Sequence, residues 1–93
     1  MRTIRRTGAF KRDYKREKKG RHGKSLDNDL MTAVAMLAAD DPLPQRYHDH
    51  PLVGEWKDCR DCHIWPDLVL IYRKPDDGTL DLVRLGSHSE LGL

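Results

Sequence analysis

Five consecutive apolar residues, Leu68-Val69-Leu70-Ile71-Tyr72, stand between two chain-breaking stretches, Pro66-Asp67 before them and Lys74 to Gly78 (KPDDG) after them. So short and apolar a run predicts a central strand, buried on both faces and flanked by further strands. Asp77-Gly78 is a hairpin turn dipeptide, so residues 79–85 are expected to fold back as the last strand. On the other side, residues 55–64 alternate in character and contain no Gly or Pro, which predicts the preceding strand. Residues 46–50 read as a short extended segment, with Pro51-Leu52-Val53-Gly54 as a turn.

The first half of the chain has a different periodicity. Residues 2–6 (RTIRR) predict a short strand with Ile4 facing inward, and Thr7 is placed to cap a helix over 8–19. Phe10 and Tyr14 lie on one face of that helix, and its other faces are cationic. Gly20 to Gly23 is a break in which His22 is expected to be exposed. Ser25 is expected to cap a second helix, with Asp27 and Asp29 in its first turns, favourable to the helix dipole. Leu30, Met31, Val34, Leu37 and Ala38 recur at three- and four-residue spacing, a buried face in which methionine is core filler. Asp40-Asp41-Pro42-Leu43-Pro44 ends the helix. The order β-α-α-β-β-β-β implies one α+β domain over residues 1–93, an antiparallel sheet meander with helices on one face and the other face available for function.

Charge divides the chain unevenly. Residues 1–24 hold eleven Lys/Arg against two acids, whereas residues 25–93 hold six against thirteen. Such a split suggests a basic surface that meets a polyanion. No apolar run approaches the roughly 18–20 residues of a membrane span, and MRTIRRTGAF lacks the apolar core of a secretory signal. The expected location is the cytoplasm, with no membrane partner.

Between His48 and Tyr72 lie three of the five histidines, both cysteines and both tryptophans. Cys59-Arg60-Asp61-Cys62-His63 matches the C-x-x-C-H haem-attachment pattern and suggests a redox pair or part of a zinc site. Strand geometry opposes these readings, because residues 59 and 62 then point to opposite faces. The same alternation puts Cys59, Asp61 and His63 on one face and Arg60, Cys62 and Ile64 on the other. Asp61 and His63 then stand together, with Asp67 past the turn and His50 on a neighbouring strand. Imidazoles and carboxylates beside cations are what metal-free phosphodiester cleavage requires: a base for the 2′-hydroxyl, an acid for the leaving oxygen, and charge to stabilise the phosphorane. Histidine serves both proton tasks near neutrality. Arg84 offers fixed positive charge to a phosphate, and Gly86 permits a bend that brings His88 round to the same face.

The ordered series His50-Pro51-Leu52, Gly54, Trp56-Lys57, Arg60-Asp61, His63-Ile64, Pro66-Asp67, Leu70-Ile71-Tyr72, Leu82, Arg84, Gly86 and His88 resembles the YafQ branch of the RelE/ParE toxin superfamily. The two-helix N-terminal pattern fits as well, so the resemblance covers nearly the whole chain. It implies a RelE-like ribonuclease toxin of a type II toxin–antitoxin pair that cuts mRNA in the ribosomal A site without a metal or other cofactor. His88 would be the general acid; His50, His63 and Asp67 would share base and phosphate-orienting work, with Asp61 and Arg84 assisting. Lys11, Lys15, Lys18, Lys19, Lys57 and Arg60 are the further candidates for RNA contact. Implied partners are a DinJ-like antitoxin and the 70S ribosome with its mRNA and ribosomal RNA, operator DNA being reached only through the antitoxin complex. The family's tail often reads His-x-x-Leu-Phe; here Gly92 takes the place of the Phe, and Trp65 is a candidate substitute for base stacking. Two alternatives remain at this stage: a non-catalytic binding module of the same fold, ParE-like or an antitoxin-binding remnant, and a metal or haem protein using Cys59, Cys62 and His63.

Overall fold

The computed structural model of the chain describes residues 1–21 and 23–93. Its elements are β1 (Thr3–Arg6), α1 (Gly8–Lys18), α2 (Gly23–Ala38), β2 (His50–Pro51), β3 (Arg60–Trp65), β4 (Leu68–Arg73), β5 (Thr79–Gly86) and α3 (His88–Leu91). The strands form one sheet in the order β1-β5-β4-β3-β2. Strands β2 to β5 pair antiparallel, as the meander requires. The N-terminal strand pairs parallel to β5, from Thr3 opposite Thr79 to Arg6 opposite Leu82, so the sheet is mixed rather than wholly antiparallel. The α+β order is otherwise the expected one.

The central strand behaves as its composition dictates. Leu68 to Tyr72 are all buried, with Leu70 and Tyr72 toward the helices and Val69 and Ile71 toward the opposite face. Under the helices, Phe10, Leu26, Leu30, Val34 and Leu37 pack against Cys62, Leu70, Leu80, Leu82 and Leu85. The other face carries a smaller cluster of Cys59, Val69, Ile71 and Leu91, flanked by Leu52 and Trp56. Both cysteines are free, and they fall into separate clusters on opposite faces, as alternation requires.

β1 stops at Arg6, yet β5 continues to Gly86, and α1 completes the edge. The Thr7 N–H donates to the Leu82 carbonyl, and its hydroxyl donates to the Val83 carbonyl while accepting the Phe10 N–H as the helix cap. One turn on, the Asp13 carboxylate accepts the Leu85 N–H at 3.0 Å, and Arg16 donates to the Leu85 carbonyl at 2.9 Å. Asp13 also receives two bonds from Arg84, at 2.7 and 3.2 Å. Side chains thus do the work of a missing strand.

Several local expectations fail for identifiable reasons. Ser25 caps nothing, because α2 begins two residues earlier at Gly23, whose N–H bonds the Gly20 carbonyl. Asp27 bonds Lys18 and Tyr14, and Asp29 bonds Trp65, so neither is left simply facing the helix dipole. Met31 is 54% exposed, at the margin of its helical stripe, and Ile4, though it shares the helix-facing side of the sheet with Leu80, is 40% exposed because β1 is an edge strand. Residues 45–47 form a 3-10 turn that carries Tyr47 into the core, and only His50–Pro51 is extended. The strand expected over 55–64 starts at Arg60, because Gly54, at φ +67°, opens another 3-10 turn that lays Trp56 against the smaller cluster. The tail folds as α3. His22 lies outside the described residues.

Two predictions follow from the packing. Burial pushes the Asp13 carboxyl up, but the Arg84 hydrogen bonds, the Leu85 N–H and the charges of Arg84 and Arg16 more than reverse this and leave it below its ordinary value. Its stabilisation is therefore complete above the unfolded pKa and lost as pH falls through the lower folded one. Asp13→Ala is expected to cost about 3 kcal/mol in urea unfolding at neutral pH, with the deficit shrinking in acid. A Cβ on Gly23 would sit 2.0 Å from the Lys18 carbonyl oxygen, a backbone atom unable to yield. Gly23→Ala is accordingly expected to lose at least about 1 kcal/mol, where an exposed helical site would gain from the same change.

Candidate active site

Four elements bring imidazole and carboxylate groups to the face of the sheet opposite the two long helices. β3 contributes Asp61 and His63, two residues apart and so on one face. β2 places His50 directly opposite Asp61. The turn between β3 and β4 supplies Asp67, and α3 supplies His88 at its first position.

The loop bearing His50 is held by Asp49. That carboxylate accepts the Tyr72 hydroxyl at 2.5 Å and both forks of Arg60 at 3.3 Å. His48 takes the left-handed backbone conformation, φ 49°, and its carbonyl lies 2.7 Å from His50 Nδ1. Asp61 Oδ1 lies 3.1 Å from the same nitrogen. Both neighbours only accept hydrogen bonds, so Nδ1 must carry the proton in the neutral ring, and Nε2 is left as the acceptor. One N–H cannot serve both oxygens well. The His48 carbonyl is the nearer, and Asp61 Oδ1 has no hydrogen-bond donor among the described residues.

Asp61 is buried, and burial raises its carboxyl pKa, opposed by the neighbouring charges of His50, His63 and His88. Burial also lowers the His63 pKa; Asp61 pulls it back up, while His88, His48 and His50 push it down. The His63 ring stands between two others, 5.0 Å from His88 and 5.2 Å from His48. A half-buried imidazole so placed is kept neutral and ready to accept a proton.

His88 reaches the cluster because Ser87 caps α3. The Ser87 hydroxyl accepts the Glu90 N–H, the Glu90 carboxylate accepts the Ser87 N–H, and Leu91 anchors the turn in the smaller apolar cluster. Gly86 stays in β5. Its lack of a side chain makes room, since a Cβ there would meet Arg16 at 3.0 Å and Glu90 at 3.2 Å, so it does not act as the flexible bend expected of it. His88 Nδ1 donates to Asp67 Oδ1 at 3.2 Å, which leaves Nε2 as its outward nitrogen. An open groove of about 580 Å³ runs beside the cluster, and its lining includes His50, Asp61 and His88 together with Leu52, Trp56 and Leu91.

All five expected acid–base residues therefore meet. The expected cations are more scattered. Arg84 stands in the same cross-strand row as Asp61, through Ile71, but its guanidinium is turned to Asp13. Arg60 is paired with Asp49. Lys57 is exposed just before β3. Lys11 and Lys15 line a separate groove on α1 with Arg6 and Phe10, Lys18 is paired with Asp27, and Lys19 ends the helix. Asp13, His48 and Asp49 were not among the expected site residues. The sequence hint for Asp13 was its place three residues after Phe10, on the apolar stripe. Among the described residues, no group of three or more His, Cys, Asp or Glu is arranged to hold a metal ion, and burial pushes the Cys62 thiol up to about 12. Among the described residues, no helix is long and apolar enough to cross a membrane.

Comparison with known proteins gives one consistent result. A family model described as a bacterial toxin of type II toxin–antitoxin system, YafQ, matches residues 2–92. The chain is 45% identical over 71 residues to a Haemophilus influenzae protein named putative toxin YafQ, covering 73% of this chain and 70% of that one. It is 39% identical over 91 residues to the mRNA interferase toxin YafQ of Escherichia coli K12, covering 98% and 96% respectively. Among solved structures, the E. coli DinJ–YafQ complex superposes with a TM-score of 0.79 at 35% identity over 98% of both chains. A metal-bound toxin from Helicobacter pylori superposes at 0.81 with 44% identity, over 98% of this chain and 99% of that one. With the sheet, the histidine cluster and these relatives in agreement, the chain belongs to the YafQ family of type II toxins within the RelE superfamily.

Proposed function

We propose that this protein is an mRNA interferase, an endoribonuclease that cuts mRNA on the 70S ribosome by acid–base chemistry, without a metal or cofactor. The observation that carries the reading is the convergence of His50, Asp61, His63, Asp67 and His88, from four elements, on one open face. A neutral imidazole, His63 or His50 through Nε2, removes the proton of the ribose 2′-hydroxyl. The resulting oxygen attacks the adjacent phosphorus, the bond to the 5′-oxygen breaks, and His88 delivers a proton to that leaving oxygen. A 2′,3′-cyclic phosphate and a free 5′-hydroxyl result, so protons balance between base and acid. Asp67 orients His88, Asp61 tunes the imidazoles, and Arg84 stands near enough in register to be recruited to the phosphorane.

The names of the E. coli relatives support mRNA as substrate, and the DinJ–YafQ complexes support a DinJ-like antitoxin as partner. Repression of its own operon would come through the antitoxin's DNA-binding part, and the setting would be the cytoplasm. Exposed Lys11, Lys15, Lys19 and Lys57 provide charge for ribosomal RNA.

The decisive experiment is cleavage of a defined mRNA with and without programmed ribosomes, in buffer that holds Mg²⁺ at the level the ribosomes need and strips transition metals with a chelator selective for them. Ribosome-dependent cuts that persist under these conditions are expected; a requirement for an added transition metal would refute the metal-free step. His88→Ala is expected to reduce single-turnover cleavage by about 10²–10⁴-fold. Asp61 raises the pKa of His63, so Asp61→Asn should move the acid limb of the pH–rate profile downward as well as slow the reaction. An acid limb that stays in place would remove His63 from the base role and leave His50.

A further inference from the structure

His88 stands on α3, a helix of four residues, too short to hold its shape in water without help. Among the described residues its imidazole has one hydrogen-bond partner, Asp67, whose side chain is 77% exposed on a turn. A partner so placed aims the ring but does not fix it. The precision required of a proton donor must come from behind, through the backbone of α3.

Behind α3 stands Arg16 of α1. Its guanidinium pairs with Asp13 at 3.1 Å and Glu17 at 3.0 Å on its own helix, and donates to the Leu85 carbonyl of β5 at 2.9 Å. It also reaches Glu90 of α3, at 3.3 Å. Glu90 Oε1 in turn accepts the Ser87 N–H at 2.8 Å, a bond that sets the first turn of α3 and with it the backbone of His88. Leu91 supplies a second attachment, in the smaller apolar cluster. Gly86 leaves the space in which the two charged side chains meet. A Cβ there would lie 3.0 Å from Arg16 Nη2 and 3.2 Å from Glu90 Oε1, the atoms that tie Arg16 to Leu85 and Glu90 to Ser87. Both are ends of flexible side chains, so a methyl group would push them aside rather than unfold the sheet.

We propose that Arg16, Glu90 and Gly86 are positioning residues for the general acid: the ion pair, meeting over the gap at Gly86, sets where α3 holds the His88 imidazole. The inference rests on the nuclease reading for the role of His88, but the placement of the ring can be measured without any cleavage.

Three variants separate this brace from the helix cap. Glu90→Gln keeps the cap, because an amide oxygen accepts the same Ser87 N–H, and loses only the charge that Arg16 meets. Arg16→Met removes the cation, and Gly86→Ala crowds the meeting point. The maximal single-turnover rate on programmed ribosomes is expected to fall about tenfold in Arg16→Met and Gly86→Ala and about threefold in Glu90→Gln, at an unchanged half-saturating concentration. The discriminating substrate has sulfur in place of the 5′-bridging oxygen at the scissile linkage. Its P–S bond breaks to a thiolate, which leaves without a proton, so a general acid no longer contributes. On it all three variants, like His88→Ala, are expected to match the wild type. A deficit that persists there while His88→Ala is rescued means that the brace acts elsewhere, and overturns the proposal. Wild-type rates on the ordinary linkage in folded Arg16→Met and Gly86→Ala overturn it as well.

The ring itself gives the second readout. With Nδ1 donating to Asp67, neutral His88 carries its proton on Nδ1. In alkaline buffer its imidazole ¹⁵N spectrum is expected to report that tautomer in the wild type and a mixture with the Nε2–H form in each variant. An unaltered tautomer in all three overturns the brace, whether or not the protein cuts RNA. A shifted tautomer in a protein whose wild type never cuts mRNA leaves the brace standing and refutes the nuclease reading instead. Where Arg16→Met is too unstable to assay, Glu90→Gln, half-exposed and still capped, decides on both readouts.

Discussion

The Asp13 carboxylate is the point on which the arrangement turns. It is buried at the end of the sheet where β1 has run out, and it accepts a backbone N–H from β5 together with the guanidinium groups of Arg84 and Arg16. An unpaired N–H and an unneutralised arginine at that position would each be costly, and one carboxylate satisfies both. Because Asp13 belongs to α1, and Arg84 and Leu85 to β5, the same group fixes the angle at which the helix crosses the sheet. Arg16, one helical turn on, extends the clamp to the Leu85 carbonyl and to Glu90, which belongs to the capping box of α3. The placement of His88 is therefore continuous with the packing of the first helix.

Within the cluster, burial and mutual repulsion act in the same direction. Desolvation disfavours charge on His63, and three other histidines disfavour it further, leaving Asp61 as the counterweight. Asp61 is itself destabilised as an anion by burial, and one of its oxygens has no hydrogen-bond donor among the described residues. Such a site is unsettled in its resting state, and an incoming phosphate, which favours protonated imidazoles, would relieve it.

Much of this was legible in the sequence. The apolar run at Leu68–Tyr72 with turn formers on both sides defined three strands, and alternation along β3 correctly separated Asp61 and His63 from Cys62 and Ile64. The resemblance carried by the His50-to-His88 series named the five residues that converge. What escaped was determined by non-local partners. Nothing near Asp13 in sequence announces that its acceptor role is directed at Leu85. The parallel pairing of β1 depends on the crossover through two helices, which a linear pattern does not orient. The early start of α2 reflects a close backbone approach at Gly23, and the helical tail was written in Ser87 and Glu90, a capping signature passed over in the sequence analysis.

The two edges of the sheet are both unusually short. β2 is a two-residue strand that includes Pro51, a residue with no N–H to offer, and β1 is four residues long, exposed throughout, with Arg5 and Arg6 at its end. Edges of this kind give another chain almost no ladder to extend. Growth of the sheet by strand addition is thereby discouraged at either side, and two copies meeting at high concentration have little backbone with which to zip together. The dense run of five buried apolar residues, the segment most prone to aggregation if it were ever exposed, is held at the centre, with one strand between it and each edge strand.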